Sequence, residues 1–140
     1  MTLSPGQWLA CSAAVVGLLG ALHLAYTFHG KKLKPRDTHL ERQMEVVSPE
    51  ISRNTTMWQA WIGFNASHAF GALFFALVYG YLGLRHADFL FASTYLVVVG
   101  LALLVGYVAL AGKYWFRIPL AGLLLALALY CWALLQAWLA

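Results

Sequence analysis

The sequence has few charged residues. Asp, Glu, Lys and Arg make up 10% of its 140 residues, with five acids against nine Lys and Arg, whereas soluble domains carry about 25% charged residues. Hydrophobic residues reach 62%, and the mean hydropathy is +0.73. This balance excludes an ordinary water-soluble fold and predicts one transmembrane domain over residues 1–140.

Cysteines are scarce and the apolar stretches contain no acids, which limits the kinds of redox, metal and proton-transfer site that the chain could form. Cys11 and Cys131 are the only cysteines and form no C-x-x-C motif, so a disulfide oxidoreductase is disfavoured. No acid falls inside an apolar stretch, so neither a three- or four-ligand metal site nor a carboxylate-based proton transporter is predicted. The sequence assigns no cofactor, and its basic residues lack the interleaved aromatics of a nucleic-acid surface.

Four apolar stretches are long enough to span a bilayer, which takes about 20 residues. They cover about residues 7–28, 57–84, 89–111 and 118–139, with a polar loop at 29–56. Their continuous Leu, Ala and Val runs favour helices over a β-barrel. We therefore predict an all-α integral membrane four-helix bundle whose short connections make neighbours antiparallel, up and down. Residues 1–6 lack the positive charge of a signal peptide, so the first helix is expected to be retained.

The basic residues predict the orientation of the bundle. Six lie in the first loop, two in the third and one, Arg85, in the second. Cytoplasmic loops carry the excess of Lys and Arg, so the first and third loops should be cytoplasmic and both termini non-cytoplasmic. The lipid bilayer is the expected partner, and the basic loop would attract anionic lipid.

A polar segment, Arg53 to His68, begins the second span. Ser48-Pro49-Glu50 has the residue types of a helix start, and a helix from there to Leu84 would carry a polar stripe at about 100° per residue. The stripe comprises Glu50, Asn54, Trp61, Asn65, His68 and Ala72, with Trp58 at its edge. Gly63, Ser67 and Gly71 form a second stripe, which predicts close helix packing within the bundle or between subunits.

Asn65 and His68 are the candidate catalytic residues, because polar side chains at membrane depth are costly unless paired or functional. The alternative is that they only bond to neighbouring helices and fix the bundle. The candidate ligand-binding residues are Trp58, Trp61, Asn54, Arg53 and His23. His23 lies at a comparable depth in the first span, which raises the hypothesis of a haem held by two histidines, although His68 is expected to lie several ångströms deeper.

The motif from Thr56 to His68, T-M-W-Q-A-W-I-G-F-N-A-S-H, resembles a family of small uncharacterised bacterial four-span membrane proteins. The resemblance implies a multi-pass protein of the bacterial inner membrane and no mechanism. The chain is also similar to the membrane-associated eicosanoid and glutathione metabolism superfamily, which has four spans and a basic first loop. That family places Arg, Asn and Glu where this sequence has Trp61, Asn65 and His68.

Two classes of function follow from these residues. The favoured class is a non-catalytic membrane protein that binds lipid, an apolar small molecule or a partner subunit through its second helix. The alternative is a small membrane enzyme, glutathione-transferase-like or haem-linked, in which His68 is base or ligand and Asn65 polarises the substrate. A homo-oligomer is a further expected partner, because the second helix has two faces that avoid lipid.

Overall fold

The computed structural model describes residues 3–139, which form six helices and, within that range, no strand. The helices are α1 Pro5–Phe28, α2 Thr38–Val46, α3 Met57–Arg85, α4 Ala87–Ala92, α5 Thr94–Tyr114 and α6 Arg117–Leu139. Four of them, α1, α3, α5 and α6, are long and apolar enough to cross a membrane. The all-helical fold with four apolar helices is therefore confirmed, as expected for a multi-pass membrane protein.

The third apolar stretch is divided differently from the prediction. Instead of one helix from 89 to 111, the chain forms the short α4, breaks at Ser93, and continues as α5 to Tyr114. The Ser93 hydroxyl accepts a hydrogen bond from Leu96 N at 3.4 Å, which makes it the N-cap of α5. Ser93 and Thr94 are the polar residues that interrupt the apolar run here, and the capping serine indicates the break.

The predicted helix start at Ser48 is wrong. Residues 47–56 are not helical, and Ser52 N donates instead to Pro49 O in a turn. Helix α3 begins at Met57, where Thr56 and Gln59 exchange backbone-to-side-chain hydrogen bonds, each 3.2 Å long. This T-x-x-Q capping box satisfies two N–H groups at the helix start. It indicates the start of the helix better than Ser48-Pro49-Glu50 does. The earlier polar residues initiate no helix.

The loop also contains a helix that was not predicted, α2. Its N-cap is Asp37, whose side chain accepts a hydrogen bond from His39 N at 2.8 Å. None of its nine residues is buried. Packing therefore adds little to the stability of α2, and its capping accounts for where it begins.

The described chain divides into two compact units, residues 3–19 with 72–139 and residues 20–71. In the larger unit, α1 and α3 approach so closely that a Cβ atom on Gly83 would lie 2.7 Å from the Gly6 carbonyl oxygen. Further along, a Cβ on Gly17 would lie 2.9 Å from Ala76 Cβ. Small residues thus permit backbone contact between these helices. The Ser12 hydroxyl donates to Ala126 O of α6 at 2.7 Å.

Most of the surface of the spanning helices is exposed and apolar. At most 28% of the most hydrophobic window of any spanning helix is buried, and Leu18, Phe74 and Leu125 are more than half exposed. A soluble monomer rarely exposes so much apolar surface. The exposure fits helices whose outer faces contact lipid.

Candidate functional site

The candidate site lies in the smaller unit, residues 20–71, and is organised by Asn65. The Asn65 amide nitrogen donates to the carbonyl oxygen of Trp61, one turn earlier on α3, at 2.8 Å. This bond turns Oδ1 toward His23 Nε2, 3.1 Å away on α1. Since an amide oxygen only accepts, Nε2 carries the hydrogen in the neutral imidazole and Nδ1 carries the lone pair.

His68 completes a cluster of three polar side chains. It follows Asn65 by three residues and so shares its helix face, and its ring centroid lies 5.3 Å from that of His23 at an interplanar angle of 78°. On α1, the Thr27 hydroxyl donates to the His23 carbonyl oxygen at 2.8 Å. Asn65 and Thr27 are each only 7% exposed. The structure therefore brings His23, Asn65 and His68 together, as a shared site requires.

A cavity of about 300 Å³ opens beside this cluster. Its lining comes from the end of α1, the chain that follows it and the start of α3: Tyr26, Thr27, Phe28, Gly30, Leu33, Lys34, Trp58, Trp61, Ile62 and Asn65. Asn65 belongs to both the cluster and the lining, whereas neither histidine is a lining residue. The cavity thus combines aromatic and aliphatic side chains with several polar groups, namely the Asn65 amide, the Lys34 ammonium and the hydroxyls of Tyr26 and Thr27.

One backbone contact ties the loop to the cavity wall. The indole Nε1 of Trp61 donates to the Leu33 carbonyl oxygen at 3.0 Å. Gly30, between α1 and Leu33, has a φ of +83°, a left-handed conformation that glycine adopts without steric cost. The turn at Gly30 redirects the chain after α1, so that Leu33 reaches Trp61.

Two lysines stand over aromatic rings of the cavity wall. Lys32 Nζ lies 3.9 Å from the centroid of Tyr26, and Lys34 Nζ lies 5.4 Å from the centroid of Trp58. Both distances are within the range of a cation–π contact. Lys34 also pairs with Glu41 of α2, with Nζ 2.7 Å from the carboxylate.

The predicted ligand-binding residues separate into two groups. Trp58 and Trp61 line the cavity, and His23 joins the cluster behind Asn65. Arg53 and Asn54 are exposed residues of the non-helical segment 47–56 and are not among the lining residues. Because α3 begins only at Met57, Glu50 and Asn54 are not on this helix and do not belong to the predicted stripe.

The sequence reasoning missed Tyr26, Leu33 and Lys34. Tyr26 sits at the end of the first span, where an aromatic residue is ordinarily explained by the membrane interface, and Lys34 is one of six basic residues in its loop. Leu33 contributes a backbone carbonyl, which no side-chain pattern reveals. The one sequence feature that indicated this part of the cavity wall is the group of basic residues that follows the aromatic end of the first span.

The geometry of the two histidines bears on the haem hypothesis. Axial ligation requires the iron and the haem plane to lie between the imidazoles, whereas the two rings contact each other edge to face. This arrangement leaves no room for a haem between them. Among residues 3–139, no group of three or more His, Cys, Asp or Glu side chains is placed to hold a metal ion.

The small-residue stripe on α3 differs from the prediction. A Cβ on Gly63 would meet no atom within 4 Å, and Gly63, Ser67 and Gly71 are all exposed. The Ser67 hydroxyl donates to Phe64 O of its own helix at 2.9 Å. The prediction that Gly63 packs against another helix of the same bundle is therefore wrong. Packing of the stripe between subunits stays a prediction.

Comparisons of the chain with protein-family models, with curated proteins and with solved structures give no match. The two family resemblances stay predictions for that reason.

Proposed function

We propose that this chain is a multi-pass membrane protein that binds an amphipathic, lipid-like molecule in the cavity between the end of α1 and the start of α3. The observation that carries the proposal is the cavity itself. Its volume of about 300 Å³ is at the lower end of small-molecule sites, which are mainly apolar with a few polar groups that fix orientation. A head group with the first part of an apolar chain matches this size and lining.

The position of the cavity along the helices supports the same ligand class. Tyr26, Trp58 and Trp61 lie near the ends of two spanning helices, where aromatic residues sit at the level of the lipid head groups. A ligand bound there keeps its polar end among Lys34 and Asn65. Its apolar chain can continue along exposed helix faces.

The proposal includes an arrangement for the spans. We infer that α1 and α3 are antiparallel, because Gly6 contacts Gly83 while the later Gly17 contacts the earlier Ala76. Both termini are then non-cytoplasmic and the first and third loops cytoplasmic, in accord with the excess of Lys and Arg. The corresponding location is the bacterial inner membrane.

Photo-crosslinking tests the binding site. Full-length protein in phosphatidylcholine nanodiscs is exposed to a fatty acyl probe with a diazirine on its chain, and the labelled residues are identified by mass spectrometry. We expect labelling to concentrate in residues 26–34 and 58–65, and to fall at least about fivefold in Ile62→Phe, whose added volume occupies part of the cavity.

The matched control is Ile51→Phe, at a side chain that is 94% exposed and outside the cavity lining. This variant should be labelled like the wild type. Labelling spread evenly over all four apolar helices, with no effect of Ile62→Phe, would mean that the cavity is not a binding site.

The alternative, a small membrane enzyme, is favoured by one observation. Asn65 fixes the tautomer of His23 and leaves Nδ1 with the lone pair that a general base needs, with His68 in contact. Neither histidine lines the cavity, and both are partly exposed. Turnover that His68→Ala abolishes, without a change in unfolding free energy, would favour this alternative.

A further inference from the structure

The cavity has an excess of positive charge at its walls. Lys32 stands over Tyr26 and Lys34 over Trp58, and these rings are lining residues contributed by α1 and α3 respectively. A single carboxylate, Glu41, pairs with one of the two ammonium groups. Two cations and one acid leave a net positive charge where the head group of a bound amphiphile would lie.

Glu41 holds a position that a ligand anion would also take. Its carboxylate lies 2.7 Å from Lys34 Nζ, and Lys34 is a lining residue whereas Glu41 is not. The side chain of Lys34 is 40% exposed in this pair, so its ammonium is also accessible to a second anion. A carboxylate or phosphate in the cavity would therefore compete directly with Glu41.

The helix that carries Glu41 is weakly attached. None of the nine residues of α2 is buried, and non-helical segments precede and follow it. Elements with few buried contacts open at low free-energy cost. Separation of Glu41 from Lys34 consequently disrupts little else.

We propose that the cavity selects amphiphiles with an anionic head group, and that Glu41 is an internal competitor that the ligand's anion displaces from Lys34. This inference rests on the proposed function and adds the charge of the ligand. A fatty acid carboxylate and a phospholipid phosphate share the required chemistry, an anionic oxygen group on an apolar chain.

Binding of oleic acid and of methyl oleate tests the inference. The two probes have the same chain and differ in charge when the measurement is made at pH 9, where the acid is ionised even beside a bilayer. Radiolabelled probe is titrated into full-length protein in phosphatidylcholine nanodiscs. We expect the wild type to bind the acid about fivefold more tightly than the ester, the effect of one partly exposed ion pair.

Two substitutions should change the affinity for the acid in opposite directions. Lys34→Gln should abolish the preference for the acid over the ester, because the ammonium group that the ligand's anion would pair with is removed. Glu41→Gln should tighten acid binding about threefold, because the competitor is removed, with no effect on the ester. The controls are Lys31→Gln and Glu45→Gln, which change the same charges at exposed positions outside the cavity and should behave like the wild type.

The source of the anion is distinguished by adding phosphatidylglycerol to the nanodiscs. If phosphatidylglycerol competes with oleate in the wild type and does not compete in Lys34→Gln, the natural ligand's anion is a phospholipid head group. Absence of competition identifies a free acid, and both results agree with the shared chemistry.

The contrary outcomes separate the two proposals. Equal affinity for acid and ester in the wild type would overturn the charge selection. A preference that survives Lys34→Gln would overturn the competition between Glu41 and the ligand for Lys34. Both results would leave the proposed function intact. Absence of saturable binding of either probe to the wild type would overturn the proposed function itself and the inference with it.

Discussion

Asn65 is the residue in which sequence and geometry agree most closely. Both ends of its amide are engaged, with Trp61 O at 2.8 Å and His23 Nε2 at 3.1 Å. Asn65→Leu removes both bonds at similar volume and leaves His23 without this partner. Hydrogen bonds between membrane helices contribute about 1–2 kcal/mol, so we expect the unfolding free energy to fall by that amount, measured by thermal or denaturant unfolding in detergent micelles.

Ser67→Ala is the control for this change. The Ser67 hydroxyl bonds only within α3 and the residue is exposed, so its removal should change the unfolding free energy by less than about 0.5 kcal/mol. An equal loss in the two variants would mean that the His23 to Asn65 bond contributes no specific stability.

At the scale of elements, two tyrosines join α5 to α3 and α6 by hydrogen bonds. The Tyr79 hydroxyl on α3 donates to Leu96 O at 2.7 Å, and the Tyr130 hydroxyl on α6 donates to Val97 O at 3.0 Å. Both rings lie over Gly100, where an added Cβ would be 2.6 Å from Tyr79 Cε1. Gly100→Ala must therefore displace the rings, and we expect a loss of about 1–3 kcal/mol by the same unfolding measurement.

Gly106→Ala on the same helix is the matched control. A Cβ there meets no atom within 4 Å, and alanine is the better helix former by about 1 kcal/mol, so this variant should be unchanged or slightly more stable. A Gly100→Ala protein as stable as Gly106→Ala would show that the two tyrosines do not constrain α5.

The helices show which features the sequence could predict. Hydropathy located the four long helices, because a bilayer imposes their length and composition. It failed at Ser93, where a local cap starts a new helix. The helix start at Ser48 was predicted from its capping residues and was wrong, because the Thr56–Gln59 capping box starts α3 instead. The i, i+3 spacing of Asn65 and His68 predicted a shared face, whereas the contact of Trp61 with the Leu33 carbonyl depends on the turn at Gly30 and on a backbone group.

At the scale of the whole molecule, the distribution of basic residues predicts which loops share a side. The proposed orientation places Ile51, 94% exposed in the first loop, in the cytoplasm and Asp88, after the second span, on the opposite side. Because Cys11 and Cys131 are exposed, the test starts from a variant with both changed to Ala. Ile51→Cys and Asp88→Cys are then introduced separately and treated with a membrane-impermeant maleimide.

The labelling is done on intact spheroplasts, from which the outer membrane and cell wall have been removed. We expect the maleimide to label Asp88→Cys, and to label Ile51→Cys only after the membrane is permeabilised with detergent. Labelling of Ile51→Cys from outside would reverse the orientation. The cavity would then face the outer leaflet, because Lys34 and Ile51 belong to the same loop between α1 and α3. The result therefore also determines from which side of the membrane an anionic amphiphile would reach Lys34.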